Sequence, residues 1–350
     1  MSLPTQMLNT GIETLVDYLT AHVLLCLIPA FFLSGAFNAL IPSASIIKYM
    51  GEGATATQKA IAYLFASTSG LIIEVCSCTI LPLFAGIWKK GAGFGPAIAF
   101  LFAGPGITLL STPLTVAILG TGFALTKLIL SIIMAIAIGV AMELTFPESG
   151  QQEEGGGLGT STGSEPRGRG PILFFSSLVM VMISGTAPLE LTAKLALVGF
   201  FTALTAFFAY RHYTRDEIGL WMRETYGFIK PIFPVLLLGV FISGAVKPLI
   251  PQEAVARIAG SNTIPANIVA ALFGTVAYFP TLVEVPVARM FMELGMHRGP
   301  LMSYLLVDPG VSLQTLLVVN TIIGPRKTFT YAVYMLGFGV AAGYLYGWLV

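Results

Sequence analysis

Glu74-Val-Cys-Ser-Cys-Thr-Ile-Leu-Pro82 sets a carboxylate, two thiols and a helix-breaking proline within nine residues, in the middle of a long apolar run. The run is one of many. Of the 350 residues 55% are hydrophobic and only 10% charged, against about 25% charged in a soluble domain. Apolar stretches near the length needed to cross a bilayer recur along the chain, without the strict alternation of a β-barrel. The fold class expected is therefore an all-α, multi-pass membrane protein in contact with the lipid bilayer. A net charge of +1 with no basic block argues against nucleic acid as a partner. Residues 1–20 carry Glu13 and Asp17 with no basic segment ahead of the first apolar run, so no cleavable leader is expected.

Outward from Glu74–Pro82, two short apolar pieces, 59–73 and 75–88, read as a hairpin that enters the membrane and turns near Glu74–Cys76. At ~1.5 Å per residue neither comfortably crosses a ~30 Å core. Spans are expected over 22–41, 94–119 (interrupted at Gly104-Pro105-Gly106), 123–144, 171–187 and 191–210. Residues 147–170, with Glu153, Glu154 and Gly155–Gly157, form a flexible hydrophilic linker. Residues 211–230, with Arg211, Arg215, Asp216, Glu217 and Trp221, read as an interfacial amphipathic helix. The domain reading is a first transmembrane repeat (1–146), the linker (147–170), a connecting transmembrane hairpin (171–210), and the interfacial helix with a second repeat (211–350).

The second repeat is read from its helix breakers. Ser34-Gly35-Ala36 and Ile41-Pro42 recur as Ser243-Gly244-Ala245 and Ile250-Pro251. Beyond a short indel the offset becomes 204: Pro82 pairs with Pro286, Gly91 with Gly295, Gly95-Pro96 with Gly299-Pro300, Pro105-Gly106 with Pro309-Gly310, and Gly120 with Gly324. Proline and glycine fix backbone shape, so a repeat that keeps them keeps its breaks. With the N-terminus outside and 211–230 cytoplasmic, twelve Lys and Arg lie inside and six outside, Lys127 among the outer ones. An odd number of segments between equivalent points inverts the second copy. The architecture expected is about eight full transmembrane helices plus helical re-entrant hairpins in two inverted-topology repeats.

Chemistry is expected at membrane depth. On an unbroken helix Cys76 and Cys78 point ~200° apart. Pro82 cannot donate to the Cys78 carbonyl, so an interruption at Cys78 is expected, and it would let both sulfurs face one ion or solute. Soft thiolates select soft ions, and Cys26 would supply a third metal-ligating thiol. The alternative reading of the same cysteines is packing as small hydrophobes. Glu74, Glu284 and Asp308 are carboxylates at apparent membrane depth. Such groups are functional candidates by default, here as proton carriers. Their alternatives are simple structural satisfaction or, for Glu74, a wetted hairpin tip. Gly104-Pro105-Gly106-Ile107-Thr108 and Asp308-Pro309-Gly310-Val311-Ser312 read as unwound points that open new half-helices. Ser77, Pro82, Gly104, Pro105, Thr281 and Pro309 complete the candidate substrate-binding set. Lys127 reads as a snorkelling side chain near a helix end. No nucleophile elbow, Walker A or dinucleotide motif is present, so an enzyme is not expected and no cofactor is implied.

Glu74-Val-Cys-Ser-Cys, Pro82-Leu, Lys89-Lys90-Gly-Ala-Gly93, Gly95-Pro-Ala-Ile-Ala-Phe100 and Ala103-Gly-Pro105, with Phe279-Pro-Thr-Leu-Val-Glu-Val-Pro286 and Gly295-Met-His-Arg-Gly-Pro300 in the second half, resemble the predicted-permease family that includes the organoarsenical efflux permeases (ArsP-type). The resemblance implies an inner-membrane permease of about eight spans. It would export trivalent organoarsenicals such as methylarsenite against proton entry, with Cys76 and Cys78 as ligands. Some members are assigned copper or zinc efflux, so another soft metal or a sulfur compound is the first alternative cargo. A channel or membrane-bound assembly partner is a second alternative function. A membrane thiol oxidoreductase would instead show Cys-x-x-Cys near a βαβ unit, which is missing.

Overall fold

The computed structural model describes residues 3–19, 27–40, 56–69, 77–108, 111–147, 170–186, 191–246, 257–276 and 281–350. Cys26, Glu74, Cys76 and nearly all of the expected linker lie outside that set, and of Ser77, Cys78 and Thr281 only the backbone belongs to it.

Among the described residues every regular element is a helix. The first group is α1 (Leu3–Tyr18), α2 (Ile28–Leu40), α3 (Ala56–Thr68), α4 (Ser77–Lys89), α5 (Phe94–Gly106), α6 (Ser111–Leu119) and α7 (Thr121–Thr145). The middle holds α8 (Gly170–Thr186), α9 (Leu191–His212) and α10 (Arg215–Val246). The last group is α11 (Ile264–Val276), α12 (Thr281–Glu293), α13 (Arg298–Val307), α14 (Leu313–Ile323) and α15 (Pro325–Leu349).

Four of these are long and apolar enough to cross a membrane: Thr121–Thr145, Thr192–His212, Arg215–Ile242 and Pro325–Leu349. A fifth span results if α5 and α6, whose axes meet at 52°, cross together. The protein is thus a multi-pass membrane protein, with four or five full spans among the described residues. The other apolar runs contribute helices of 9 to 17 residues to the described set, and several of the expected spans run into residues outside it. A 13-residue helix is ~20 Å long, well short of the hydrocarbon core. The long helices keep apolar side chains on the outside, as Leu125, Ile129 and Ile133 on α7 and Phe200 and Phe207 on α9 show. That surface is stable only against lipid.

Two expectations about breaks need correction. Residues 211–230 do not form a separate interfacial helix. The polar turns from Arg215 continue through Pro231 and Pro234 into one 32-residue helix. It packs against α1, α2 and α14, and packing of this kind overrides the low helix propensity of proline. Nor is the chain interrupted at Cys78. Helix α4 begins at Ser77 and passes through Pro82, so Cys78 itself is helical. The Pro82 carbonyl accepts from Ser34 Oγ at 2.5 Å, which ties α4 to α2.

The first and last groups are built alike. Helix α5 packs on α3, α4 and α7, and α13 packs on α11, α12 and α15. Helix α6 lies on α7 as α14 lies on α15. Across the two groups the contacts are reciprocal: α4 touches α14, α6 touches α12, and α7 touches α15. Four glycines take positive φ, namely Gly91 (84°), Gly120 (96°), Gly295 (95°) and Gly324 (84°). They form two pairs, each 204 residues apart, at the turns before α5 and α13 and before α7 and α15. A left-handed residue at such a turn favours glycine because it lacks a Cβ. The tight crossings also correspond. A Cβ on Gly139 would lie 2.6 Å from the Gly95 carbonyl oxygen, and one on Gly343 would lie 2.7 Å from that of Gly299. Glycines let the backbones of α5 and α7, and of α13 and α15, approach to direct contact.

Candidate functional site

The candidate site is assembled where the two groups of helices meet. Helix α12 carries Glu284 in its first turn, and Glu284 is 1% exposed. Its Oε1 accepts a hydrogen bond from Lys127 Nζ at 3.2 Å. Lys127 stands about two turns into α7 and is also buried. An ion pair removed from water in this way costs several kcal/mol per charge before its mutual attraction is counted.

Asp308 caps the C-terminus of α13, where its backbone N–H bonds to the Tyr304 carbonyl at 2.9 Å. Its carboxyl is buried and Oδ1 has no hydrogen-bond partner. Glu284 and Lys127 both lie within electrostatic reach of Asp308. One turn before it, the fully buried Tyr304 feels both carboxylates, and its hydroxyl is likewise unpartnered. The ring of Tyr304 is held by Phe273 and Phe291 at 5.9 and 5.8 Å. Ser131 Oγ, one turn from Lys127, and both polar atoms of the Gln314 side chain on α14 are further buried atoms without partners. An unpaired buried polar group costs about 1–3 kcal/mol. The unpartnered Asp308 Oδ1 and the Tyr304 hydroxyl one turn away therefore mark a place that takes up water, an ion or a solute.

The short helices α6 and α14 open beside these groups, with matching caps. Thr108 Oγ1 accepts from the Ser111 N–H at 3.1 Å and donates to Ser111 Oγ. Ser312 Oγ accepts from the Thr315 N–H at 3.4 Å and bonds Thr315 Oγ1 at 2.8 Å. Each hydroxyl satisfies an N–H that the helix start leaves open. Between α6 and α7, Gly106, Ser111, Thr112, Thr115 and Lys127 line a small cleft.

The first expected unwound point sits slightly later than the sequence placed it, and the second sits where it was placed. Gly104 and Pro105 lie in the last turn of α5, which runs through Gly106 and ends with the Ile107 N–H on the Ala103 carbonyl. Asp308-Pro309-Gly310 forms the turn between α13 and α14, and the Tyr331 hydroxyl donates to the Gly310 carbonyl at 3.0 Å. Pro82 is inside α4, and Thr281 opens α12. Of the acidic candidates, Glu284 and Asp308 are brought together, while Glu74 lies outside the described residues. The same holds for the sulfurs of Cys26, Cys76 and Cys78. Among the described residues no three His, Cys, Asp or Glu side chains gather as a metal site would require.

Lys127 is the correction of most consequence. It neither snorkels nor sits at the outer surface. The signal was present: it is the single Lys or Arg between Lys90 and Arg167, and two carboxylates at membrane depth call for a cation at the same depth.

Comparison with known proteins fits this architecture. The chain is 35% identical to the UPF0718 protein MJ0584 of Methanocaldococcus jannaschii over 365 residues, covering 99% of this chain and 98% of the relative. It is 22% identical to the UPF0718 protein YraQ of Escherichia coli (strain K12) over 246 residues, covering 70% of this chain and 56% of the relative. No solved structure matches. A family model described as a predicted permease, ArsP_1, matches residues 9–348. With all but the ends of the chain inside that match, the protein belongs to the ArsP_1 predicted-permease family.

Proposed function

We propose that this permease is a secondary-active exporter of trivalent organoarsenicals such as methylarsenite, driven by protons moving inward across the cell's inner membrane. The observation that carries the coupling half is the buried set of Lys127, Glu284 and Asp308, with the Asp308 Oδ1 unpartnered. Carboxyls at this depth are expensive unless paired, wetted or neutral, and proton carriage is the use that repays them. The cargo half rests on Glu74-Val-Cys-Ser-Cys78. Methylarsenite has two exchangeable valences, and Cys76 and Cys78 supply two thiols. Ser77, Pro82, Gly104, Pro105, Thr281 and Pro309 complete the proposed substrate-binding set, with Glu74 as a further candidate carboxyl.

The architecture in this reading is two inverted-topology repeats, 1–146 and 211–350, joined by the 147–170 linker and the 171–210 hairpin. The shared 204-residue offset of the positive-φ glycines and the reciprocal contacts between α4–α14 and α6–α12 support the repeat. The twelve-to-six distribution of Lys and Arg supports the inversion and a cytoplasmic 211–230. With Lys127 buried rather than at the outer surface, that excess is larger still. The short paired helices act as re-entrant hairpins whose tips approach from opposite sides.

A growth panel in a bacterial host sensitive to methylarsenite, arsenite, copper and zinc tests the cargo. The full chain should confer resistance to methylarsenite, and Cys76→Ser or Cys78→Ser should remove it at normal expression. Protection against copper or zinc alone would move the cargo to a soft metal. Full methylarsenite resistance in the double serine variant would remove the thiols from the site.

A further inference from the structure

The buried cluster contains one ammonium and two carboxyls. Lys127 satisfies Glu284 directly at 3.2 Å and reaches Asp308 only through its field. Among the described residues, the charged or titratable groups that face Asp308 can be named. Its own helix α13 offers Tyr304, α12 offers Glu284, α7 offers Lys127, and α15 offers Tyr331, whose hydroxyl is spent on the Gly310 carbonyl. Helix α11, which brings Gly274 within 3.2 Å of the Asp308 side chain when a Cβ is placed on it, has no titratable residue in its sequence. No second cation is therefore at hand for Asp308 among the described residues. The repeat does not supply one either, because the position in α15 that lies 204 residues beyond Lys127 is Tyr331. With both carboxyls ionised the cluster would hold one uncompensated negative charge. Oδ1 of Asp308 and the hydroxyl of Tyr304 are unpartnered atoms left in it.

We infer that Lys127 sets the charge stoichiometry of the site at one exchangeable proton. It holds Glu284 as a standing counter-ion and leaves Asp308 as the carboxyl that exchanges. The step is acid–base only. Hydronium on the entry side gives its proton to the Asp308 carboxylate, which becomes the neutral acid, and water on the other side takes the proton back, with no electron transferred. This inference rests on the proton-coupled reading for its place in a transport cycle. The proton exchange itself does not depend on the cargo.

Infrared difference spectroscopy on the purified full chain in lipid tests it without any cargo, stepping between about pH 5 and about pH 9. The wild type should show one protonated-carboxyl carbonyl band of an apolar environment that comes and goes with pH. Asp308→Asn should abolish it, and so should Glu284→Gln, because Lys127 is then left to compensate Asp308. Lys127→Met should add a second band, because Glu284 has then lost its counter-ion, and Lys127→Met/Glu284→Met should return the count to one. The inference is overturned if the wild type has no such band, if the band survives Asp308→Asn or Glu284→Gln, if Lys127→Met leaves one band, or if Lys127→Met/Glu284→Met shows none. Should Lys127→Met not fold, the double variant still decides, because Asp308 is then the one carboxyl of the three left to give the band, and the Asp308→Asn and Glu284→Gln spectra check the count. Loss of methylarsenite export with the bands as expected would strike the cargo assignment alone. Export with the wrong bands would strike this inference alone.

Discussion

At the scale of single residues, the account turns on how charge is kept inside a membrane protein. Lys127 and Glu284 are 157 positions apart in sequence and meet at 3.2 Å with almost no solvent. Removing one member of such a pair strands the other, at about 3–5 kcal/mol, whereas replacing both with apolar residues is often neutral. Lys127→Met should therefore lower the thermal midpoint sharply, and Lys127→Met/Glu284→Met should recover most of the loss, as read by melting of the detergent-purified protein. Equal destabilisation in the single and double variants would mean that the pair contributes through shape rather than charge. Function separates the carboxyls from general stability. Asp308→Asn should cut proton-driven export by about tenfold or more, equivalent to ~1.4 kcal/mol, while exchange of labelled for unlabelled cargo at equilibrium is spared. Parallel loss of both activities would mark Asp308 as structural.

At the scale of elements, glycine crossings and helix breaks carry the design. The α5–α7 and α13–α15 contacts each require a bare backbone, at Gly139 and at Gly343. Gly139→Val and Gly343→Val should each destabilise by at least about 1–3 kcal/mol, the usual cost of overpacking, and by similar amounts if the halves are equivalent. Thermal unfolding checks this, and a mild effect at one site only would break the equivalence. The elements also divide what sequence could disclose from what it could not. Gly91, Gly120, Gly295 and Gly324 were readable because a positive-φ turn favours one residue type, and their spacing carried the correspondence between the two groups of helices. The continuity of α10 through Pro231 was not readable. It depends on neighbours from α1, α2 and α14 that only the folded chain brings in. The Lys127–Glu284 pair was hidden for the same reason. A local window shows a lone lysine in an apolar helix, and the carboxylate that explains it belongs to the other half of the chain. Glu284 and Asp308 could be singled out earlier, because a carboxylate at membrane depth is anomalous wherever its partner lies.

At the scale of the whole molecule, the claim is asymmetry laid over repetition. The turns at Gly91 and Gly295 and the crossings at Gly139 and Gly343 correspond, while the candidate chemistry differs between halves: thiols and Lys127 come from the first, Glu284 and Asp308 from the second. The inverted arrangement proposed above predicts which side each turn faces. In a cysteine-free background, Thr214→Cys should react with a membrane-impermeant thiol reagent from the cytoplasmic side, and Ser261→Cys from the outer side. Labelling of both from one side would contradict the topology. The central claim joins soft-ligand capture to proton entry, and uptake of methylarsenite by everted membrane vesicles under an imposed proton gradient tests it most directly. The account predicts gradient-dependent uptake by the wild type that collapses with a protonophore and is absent in Cys76→Ser/Cys78→Ser. Uptake by the double serine variant at the wild-type rate, or uptake indifferent to the gradient, would contradict it.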